Sequence, residues 1–387
     1  MKRKIIAVIL AVAMLLCLTL PIISAEGDIS VDSGALALNC ESAVLMEATT
    51  GTVLYEQNAD KALPPASVTK IMTLLLVMEA IDSGALKWDD TVTCSANASK
   101  MGGSQIFLKE GEQMSVRDMV KSVVIASAND AAVALAEHIA GSEEVFVARM
   151  NARAKELGMK NTNFENTNGL DDTAQNHVIS ARDIAIMSRA LISHKEILEY
   201  SSTWMDSIRN GEFGLTNTNR LVRFYKGCNG LKTGSTAKAK FCISATAERD
   251  GMTLIAVIMA SPSRDERNAA AKTLLDWGFS NYELYTSDYK IPKNIEVIGG
   301  ESEFCDISGD SFSAVVPKGK AKKITVSAEL PEKLTAPISK GSTVGKIKYS
   351  IDGKNIGETN VITAADVEKI SFFGVMKNIL SAFLLKK

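Results

Sequence analysis

The sequence predicts an α/β protein whose main domain has an antiparallel sheet, built from both ends of that domain, with a helical insertion between them. Hairpin patterns at residues 43–57 and 239–260 supply the sheet, because apolar strands flank turn residues at each place. Between about 75 and 200, apolar residues recur at i, i+3 and i+4, as on the buried face of helices. Beyond about 285, short alternating runs rich in Val, Ile, Thr, Gly and Lys predict a small all-β C-terminal domain.

The bulk properties fit two domains with appendages and argue against nucleic-acid binding. The chain has 387 residues, 46% of them hydrophobic and 23% charged, with a formal net charge of −2. A nucleic-acid-binding domain would carry a basic surplus, so no nucleic-acid partner is predicted. The three histidines are scattered and keep no metal-ligand spacing with the cysteines, so no metal site is predicted either.

The first 25 residues have the three-part layout of a secretory signal peptide. Met1–Lys4 is basic, an apolar stretch follows, and the segment ends in Ile-Ser-Ala, so we expect cleavage after Ala25 and an exported chain. An uncleaved membrane anchor is the alternative. The mature chain keeps an odd, widely spaced set of cysteines that is not typical of a disulfide framework: Cys40, Cys94, Cys228, Cys242 and Cys305.

An apolar helix predicted to open at Ser67 carries one charge in its first turns, Lys70. Residues at i and i+3 share a helix face. A lysine in apolar surroundings has a lowered pKa and can act as a base, and a serine hydroxyl needs a base to become a nucleophile. We therefore expect Lys70 to activate Ser67. The pattern alone is weak, because S-x-x-K recurs at 235–238 and 287–290 and helix lysines usually extend to solvent.

Two further short motifs strengthen this interpretation. "SAND" places Ser127 and Asn129 in a loop before a helix, where they can face a substrate; ordinary helix capping is the alternative. "KTG", which begins at Lys232, occurs once and stands at the start of a predicted strand. Gly234 lets a ligand backbone approach the strand, and the lysine offers a cation to an anionic substrate. The alternative for that lysine is a solvated strand position.

In this order, the three motifs resemble those of low-molecular-mass penicillin-binding proteins that act as serine-type D-alanyl-D-alanine carboxypeptidases. The resemblance runs from about 38 to 385 and includes "MGGSQIFLKEGE", "FENTNGLDD", "NGLKTGST" and "LLDWGF". It implies a β-lactamase/transpeptidase-like catalytic domain at 35–284, a β-rich domain at 285–366 and an amphipathic C-terminal helix at 367–387.

The resemblance also implies an acyl-enzyme mechanism that needs no cofactor. Ser67 attacks the D-Ala-D-Ala bond of a peptidoglycan stem peptide, Lys70 takes its proton, and Ser127 relays a proton to the leaving D-alanine. β-Lactam antibiotics acylate the same serine in this family. Substrate contacts are expected from Asn129 to the amide, from Lys232, Thr233 and Arg264 to the terminal carboxylate, and from Gly234 and Ser235 along the strand edge, with the Ser67 and Ser235 N–H groups as oxyanion hole.

The C-terminal tail, 367–387, has apolar and aromatic residues near helical spacing together with four lysines. Such a basic amphipathic helix is typical of the membrane interface, which places the protein at the outer face of the cytoplasmic membrane, in the cell-wall space. A helix that docks on the protein's own surface is the alternative.

Two other functions were weighed against the carboxypeptidase. A class A β-lactamase would have an E-x-x-x-N arrangement for deacylation, whereas Glu165 is followed four residues later by Gly169. A wall-binding or β-lactam-sensing protein with little turnover is the second alternative, and the complete motif set argues against it.

Cys228 is the residue that the family pattern leaves unexplained. On a regular strand it would share a face with Lys232, and basic neighbours would lower the pKa of its thiol. We therefore expect a reactive thiol whose alkylation obstructs the strand edge. An inert cysteine that fills a gap behind a turn is the alternative.

Overall fold

The computed structural model describes residues 36–171 and 174–384, which form two compact units. The larger unit contains residues 36–286 and 313–321, and the smaller contains 287–312 and 322–384. Residues 313–321, which the sequence analysis assigned to the β-rich domain, are thus grouped with the larger unit. The predicted signal peptide lies outside the described residues.

The strands are short in the helical insertion and long in the main sheet. In chain order they are β1 Ser42–Glu47, β2 Val53–Gln57, β3 Thr91–Thr93, β4 Gln113–Ser115, β5 Met205–Ile208, β6 Phe213–Thr216, β7 Cys228–Thr236, β8 Lys240–Arg249, β9 Met252–Ser261, β10 Tyr282–Thr286, β11 Asn294–Ile298, β12 Phe304–Gly309, β13 Ser313–Pro317, β14 Ile324–Glu329, β15 Lys333–Thr335, β16 Thr343–Ile351 and β17 Lys354–Thr363.

In chain order, most of the α-helices lie between strands β2 and β7. They are α1 Lys70–Asp82, α2 Val116–Lys121, α3 Asn129–Ala140, α4 Glu143–Glu156, α5 Ala181–Ser193, α6 Glu196–Ser201, α7 Leu221–Phe224, α8 Arg264–Asn281 and α9 Phe372–Leu384. A 3-10 turn, Ala66–Thr69, precedes α1, and a π-helical turn, Ser122–Ala126, follows α2.

The larger unit is built on a five-stranded antiparallel sheet with the order β2-β1-β9-β8-β7. Strand β1 is buried along its whole length because helices cover both faces. Val44 and Met46 join the core beneath the helical insertion, whereas Ala43 and Leu45 join the core beneath α8. This alternation is what a period of two residues requires of a strand covered on both sides.

The helical insertion contains two small hairpins that periodicity did not predict. Strand β3 pairs with β4, and β5 pairs with β6. Strands of three or four residues are too short to establish an alternating pattern, and most of their side chains are exposed or half-buried.

The smaller unit is all-β apart from its terminal helix. Its sheet has the order β14-β16-β17-β12-β11-β15, with β11 and β15 parallel. Phe312 stacks on Tyr349 with a centroid distance of 3.9 Å.

Helix α9 exposes a series of large apolar side chains: Phe372, Phe373, Met376, Ile379 and Leu380. Within the described part of the chain, no helix is both long and apolar enough to cross a membrane.

Candidate active site

The turn before α1 places Ser67 beside Lys70. Ala66 has a φ of 49°, in the left-handed region, and opens the 3-10 turn that carries the serine into the helix. An alanine seldom adopts this conformation, so the surrounding structure must support it. Lys70 Nζ donates a hydrogen bond to Ser67 Oγ at 2.8 Å. The predicted pairing of base and hydroxyl on one helical face is therefore present.

Lys70 lies in a buried, polar environment. Its side chain is fully buried, and Nζ also contacts Asn129 Oδ1 at 2.5 Å and the Asn168 carbonyl at 3.0 Å. Burial lowers the pKa of Lys70 well below its ordinary value, the charge of Lys232 lowers it further, and Asp130 opposes the shift. A neutral amine within reach of the Ser67 hydroxyl is the form that accepts a proton.

A second lysine–serine pair joins the S-x-N loop to strand β7. Ser127 directly follows the π-helical turn after α2 and has a φ of 62°. Lys232 Nζ donates to Ser127 Oγ at 2.8 Å, and the lysine is only 1% exposed. Burial lowers the pKa of Lys232 to about 7, with a further contribution from the charge of Arg267. This lysine can therefore hold or release a proton near neutral pH.

Asn129 connects the first pair to the S-x-N loop. Its Oδ1 accepts from Lys70, while its Nδ2 donates to the Gly102 carbonyl at 2.7 Å. The neighbouring Asp130 carboxylate accepts from the backbone N–H groups of Ile106 and Leu108. The side-chain amide that was expected to hold the substrate is thus engaged by the protein itself.

Strand β7 passes directly against the turn that carries Ser67. A Cβ atom at Gly234 would lie 2.7 Å from the Pro65 carbonyl oxygen and 2.8 Å from the Ser67 nitrogen, so only glycine fits. Thr233 Oγ1 donates to Thr218 Oγ1 at 2.8 Å, and Ser235 follows as an exposed strand residue. Residues 232–235 therefore belong to the stretch of β7 that passes the Ser67 turn, with Gly234 at the point of closest approach.

The arginine assigned to the carboxylate requires correction. Ser263 caps α8, and Arg264 in its first turn is exposed. Arg267, one turn later, is 2% exposed; its Nη1 donates to the Cys242 carbonyl at 3.4 Å, and its charge acts on Lys232. Burial lowers the pKa of Arg267 to about 10. The structure therefore brings Arg267, rather than Arg264, to the lysine.

Sequence reasoning had a signal for Arg267 but missed it. Helix α8 has a buried stripe that includes Ala270, Ala271, Leu274 and Leu275, and Arg267 stands three and four residues before its first members. A single charge in an apolar stripe is the same signal that identified Lys70. Arg264 precedes this stripe at the exposed helix end.

The expectation of a reactive Cys228 was wrong. The register of β7 against β8 shifts between Cys228 and Gly230, so the regular alternation that would align Cys228 with Lys232 is broken. The thiol packs in the core beneath α8 and donates to the Gly230 carbonyl at 3.3 Å. Burial raises the pKa of the Cys228 thiol to about 11, which makes it unreactive.

A loop from the helical insertion completes the site, and sequence reasoning did not assign it a role. Asn168 supplies the carbonyl that accepts from Lys70. Gly169 has a φ of 84°, and a Cβ there would lie 1.9 Å from the Ala66 carbonyl oxygen, so the loop touches the turn that carries Ser67. His177 closes this loop and bonds to Thr69. Only the "FENTNGLDD" resemblance marked this segment.

Metal-ligating side chains do not cluster in this region or elsewhere in residues 36–171 and 174–384. The site therefore consists of two buried lysine–serine pairs, an amide, a close-packed strand edge and a buried arginine. This arrangement supports serine acyl transfer on a substrate that carries a negative charge.

Two family models match the chain. The model described as D-alanyl-D-alanine carboxypeptidase matches residues 30–263, and the penicillin-binding protein 5 C-terminal domain matches residues 279–369. The chain is 43% identical over 350 residues to D-alanyl-D-alanine carboxypeptidase DacF of Bacillus subtilis, covering 88% of this chain and 89% of the relative. It is 37% identical over 351 residues to DacC of Escherichia coli, with 88% and 87% covered.

Solved structures give the same result. Penicillin-binding protein 5 from Haemophilus influenzae is 34% identical with a TM-score of 0.75, covering 86% of this chain and 98% of that chain. Penicillin-binding protein 6B from Escherichia coli is 33% identical with a TM-score of 0.72, covering 87% and 98%. These similarities confirm the predicted catalytic fold, the all-β C-terminal domain and the C-terminal helix.

Proposed function

The chain belongs to the D-alanyl-D-alanine carboxypeptidase family, and from this premise we propose that Ser67 is its nucleophile and Lys70 its general base. The enzyme removes the terminal D-alanine from peptidoglycan stem peptides and is acylated by penicillin. One observation carries the residue assignment: two serine hydroxyls each accept a hydrogen bond at 2.8 Å from a fully buried lysine.

Acylation uses both pairs in turn. The Ser67 oxygen bonds to the carbonyl carbon of the penultimate D-alanine while its proton passes to the neutral Lys70 amine. The backbone N–H groups of Ser67 and Ser235 hold the oxyanion that develops. When the C–N bond breaks, the leaving nitrogen takes the Ser127 proton, and the Lys232 ammonium replaces that proton across the 2.8 Å contact.

Deacylation returns both lysines to their starting states. Water attacks the acyl carbonyl and passes its proton through Ser127 to the Lys232 amine. The Ser67 oxygen then leaves and recovers its proton from the Lys70 ammonium. A pKa of Lys232 near 7 suits a group that gives a proton in one step and takes it back in the next.

We assign recognition of the terminal carboxylate to Lys232, Thr233 and Arg267. Both cations are buried, the charge of Arg267 acts on Lys232, and the charges of Arg264 and Arg220 act on Arg267, so an entering carboxylate relieves repulsion among them. This preference for a free carboxylate distinguishes a carboxypeptidase from an endopeptidase.

The β-lactamase alternative gains no support, because the Glu165 carboxylate accepts from the backbone N–H groups of Gln175 and Asn176 within its own loop.

The Ser67 assignment is tested with fluorescent penicillin and with a short peptide ending in D-Ala-D-Ala. Ser67→Ala should abolish both covalent labelling and D-alanine release without loss of folded protein. Ser287→Ala, in a second S-x-x-K sequence, serves as the matched control and should label normally. Labelling that survives in the Ser67 variant would assign the nucleophile to another serine. A labelled wild type that releases no D-alanine would support a β-lactam sensor instead.

An enzyme that acts on peptidoglycan works outside the cytoplasm. We further propose that the signal peptide exports the chain and that α9 binds the outer face of the cytoplasmic membrane. We also propose that the catalytic domain gives way to the β-rich domain near residue 284, with 313–321 in the larger unit. The exposed aromatic residues of α9, Phe372 at 74% and Phe373 at 80%, support this membrane contact.

Deletion of residues 367–387 tests the membrane contact. The truncated protein should move from the membrane fraction to the soluble fraction and keep its activity on small peptides. Replacement of Phe372 and Phe373 by Ser, at full length, should weaken association with anionic vesicles in the same direction. Undiminished membrane association of the truncated protein would indicate an uncleaved N-terminal anchor.

A further inference from the structure

His177 is a buried imidazole that the reaction described above does not use. It is 7% exposed and lies beneath the turn that carries Ser67. Its Nδ1 is 3.0 Å from the backbone nitrogen of Glu165, and its Nε2 is 2.8 Å from Thr69 Oγ1. Thr69 Oγ1 is in turn 2.8 Å from the Ala66 carbonyl oxygen. Three hydrogen bonds thus connect the loop to the residue before the nucleophile.

The direction of each bond in this chain is determined. A backbone N–H only donates, so Nδ1 of His177 must accept from Glu165. Burial lowers the pKa of His177 to about 4, so the ring is neutral and its single hydrogen is on Nε2. Nε2 therefore donates to Thr69 Oγ1, and the threonine hydroxyl hydrogen is left for the Ala66 carbonyl.

The Ala66 carbonyl controls the orientation of a catalytic group. Ala66 C=O and Ser67 N–H belong to one planar trans peptide and point in opposite directions. A hydrogen bond that fixes the carbonyl therefore fixes the N–H as well. This support is needed because the left-handed φ of Ala66 is unfavourable for alanine. Gly234 lies close to this nitrogen, on the strand whose next residue supplies the second oxyanion donor.

We propose that His177 is a positioning residue that acts through Thr69 and the Ala66 carbonyl to aim the Ser67 backbone N–H into the oxyanion hole. The proposal rests on the oxyanion role assigned to that N–H under the proposed function. An oxyanion donor contributes when it is held in place before charge develops, so a loosened peptide plane weakens transition-state binding more than substrate binding.

A first pair of variants separates the hydroxyl from the side-chain volume. Thr69→Val keeps the shape and removes both hydrogen bonds, whereas Thr69→Ser keeps the hydroxyl. We expect kcat on a D-Ala-D-Ala peptide to fall about 10- to 100-fold in the valine variant, with KM little changed, because an oxyanion donor is misaligned. The serine variant should stay within about threefold of wild type, since both bonds remain. A peptide boronic acid, whose adduct with Ser67 is tetrahedral, should lose affinity only in the valine variant.

A second pair of variants separates the two nitrogens of the imidazole. The His177→Gln amide nitrogen can occupy the place of Nε2 and still donate to Thr69. The His177→Asn oxygen can occupy the place of Nδ1 and accept from the Glu165 N–H, but this side chain does not reach Thr69. The proposal requires the glutamine variant to keep more kcat than the asparagine variant. A histidine that merely anchored the loop would give the reverse order.

Thr162→Val is the matched control, because Thr162 Oγ1 donates to Asp183 in the same unit and has no connection to Ala66. It should lower thermal stability without changing kcat per active site, counted by penicillin titration. Normal kcat in Thr69→Val would overturn the proposal, even if the His177 variants fail to fold. If Ser67→Ala is inactive while Thr69→Val has normal kcat, the positioning role of His177 is wrong and the proposed nucleophile still holds. If Ser67→Ala is active, the proposed nucleophile fails.

Discussion

The two lysine–serine pairs have the same contact distance and differ in how the fold makes them. Ser67 and Lys70 are three residues apart on one helical turn, whereas Ser127 and Lys232 are 105 residues apart and come from a loop and a strand. Both lysines are buried, so desolvation lowers the pKa of each. The local pair can form wherever the helix forms, whereas the distant pair exists only in the completed domain.

Their neighbours give the two pairs different tasks. Lys70 is buried against an amide oxygen and a carbonyl. Burial and the charge of Lys232 both lower its pKa, so the neutral amine is favoured there. The charge of Arg267 adds to the lowering of the Lys232 pKa, and under the proposed function a bound carboxylate favours the protonated form of this lysine. The tasks proposed for the two chemically identical pairs, a base at Lys70 and a proton-donating anion site at Lys232, thus follow from their different surroundings.

The largest effect should come from removing the base. Lys70→Ala should slow penicillin acylation about 10²- to 10⁴-fold, as expected for loss of a general base. Lys70→Arg should recover little, because arginine stays protonated. Acylation is followed by stopped-flow fluorescence, with Lys290→Ala, from the S-x-x-K at Ser287, as the control. Near-normal acylation by the arginine variant would show that no neutral base is needed at position 70, and the proposed difference between the two pairs would be wrong.

The second effect should appear in the pH profile. Lys232 must be protonated to donate to the leaving group and to bind a carboxylate, so kcat/KM should fall as pH rises through about 7, the pKa of this lysine in the free enzyme. In Lys232→Arg, kcat/KM should be lower at neutral pH, but the alkaline fall should move to higher pH because arginine keeps its proton. An alkaline limb at the same pH in both proteins would assign it to another group.

The smallest effect concerns the two arginines of α8. Arg267→Ala should raise KM for a peptide with a free terminal carboxylate about 10-fold, since a charged hydrogen bond is lost. Arg264→Ala, at the exposed position, should change KM by less than about twofold, as for a surface charge. Steady-state assays of D-alanine release compare them directly. Equal KM changes in the two variants would show that Arg264 contributes to carboxylate binding as much as Arg267 does.

The sequence predicted what depends on short spacing. Ser67 and Lys70 need only one helical turn, and the fold class follows from long periodic segments. The choice between Arg264 and Arg267 depended on where the buried stripe of α8 begins, which the Ser263 cap and the apolar residues after it determine. That information was present in the sequence but needed the helix register.

Other features depended on contacts that no local pattern carries. One irregular residue in β7 removed Cys228 from the face of Lys232, and a strand pattern does not reveal a bulge. The role of His177 emerges only when a loop more than a hundred residues from Thr69 packs under it. Its neighbours in sequence give no indication of a hydrogen bond to the nucleophile's turn.

The place of β1 in the main sheet has a consequence for how the chain folds. Ser42 pairs with Met259, so β1 gains its second neighbour only when a strand close to the other end of the larger unit joins it. Such non-local pairing slows folding, and an unpaired apolar strand attracts other chains in the meantime. The helices of the insertion can form while β1 waits, because their contacts are local. One side of β1 therefore stays unpaired until β9 folds onto it.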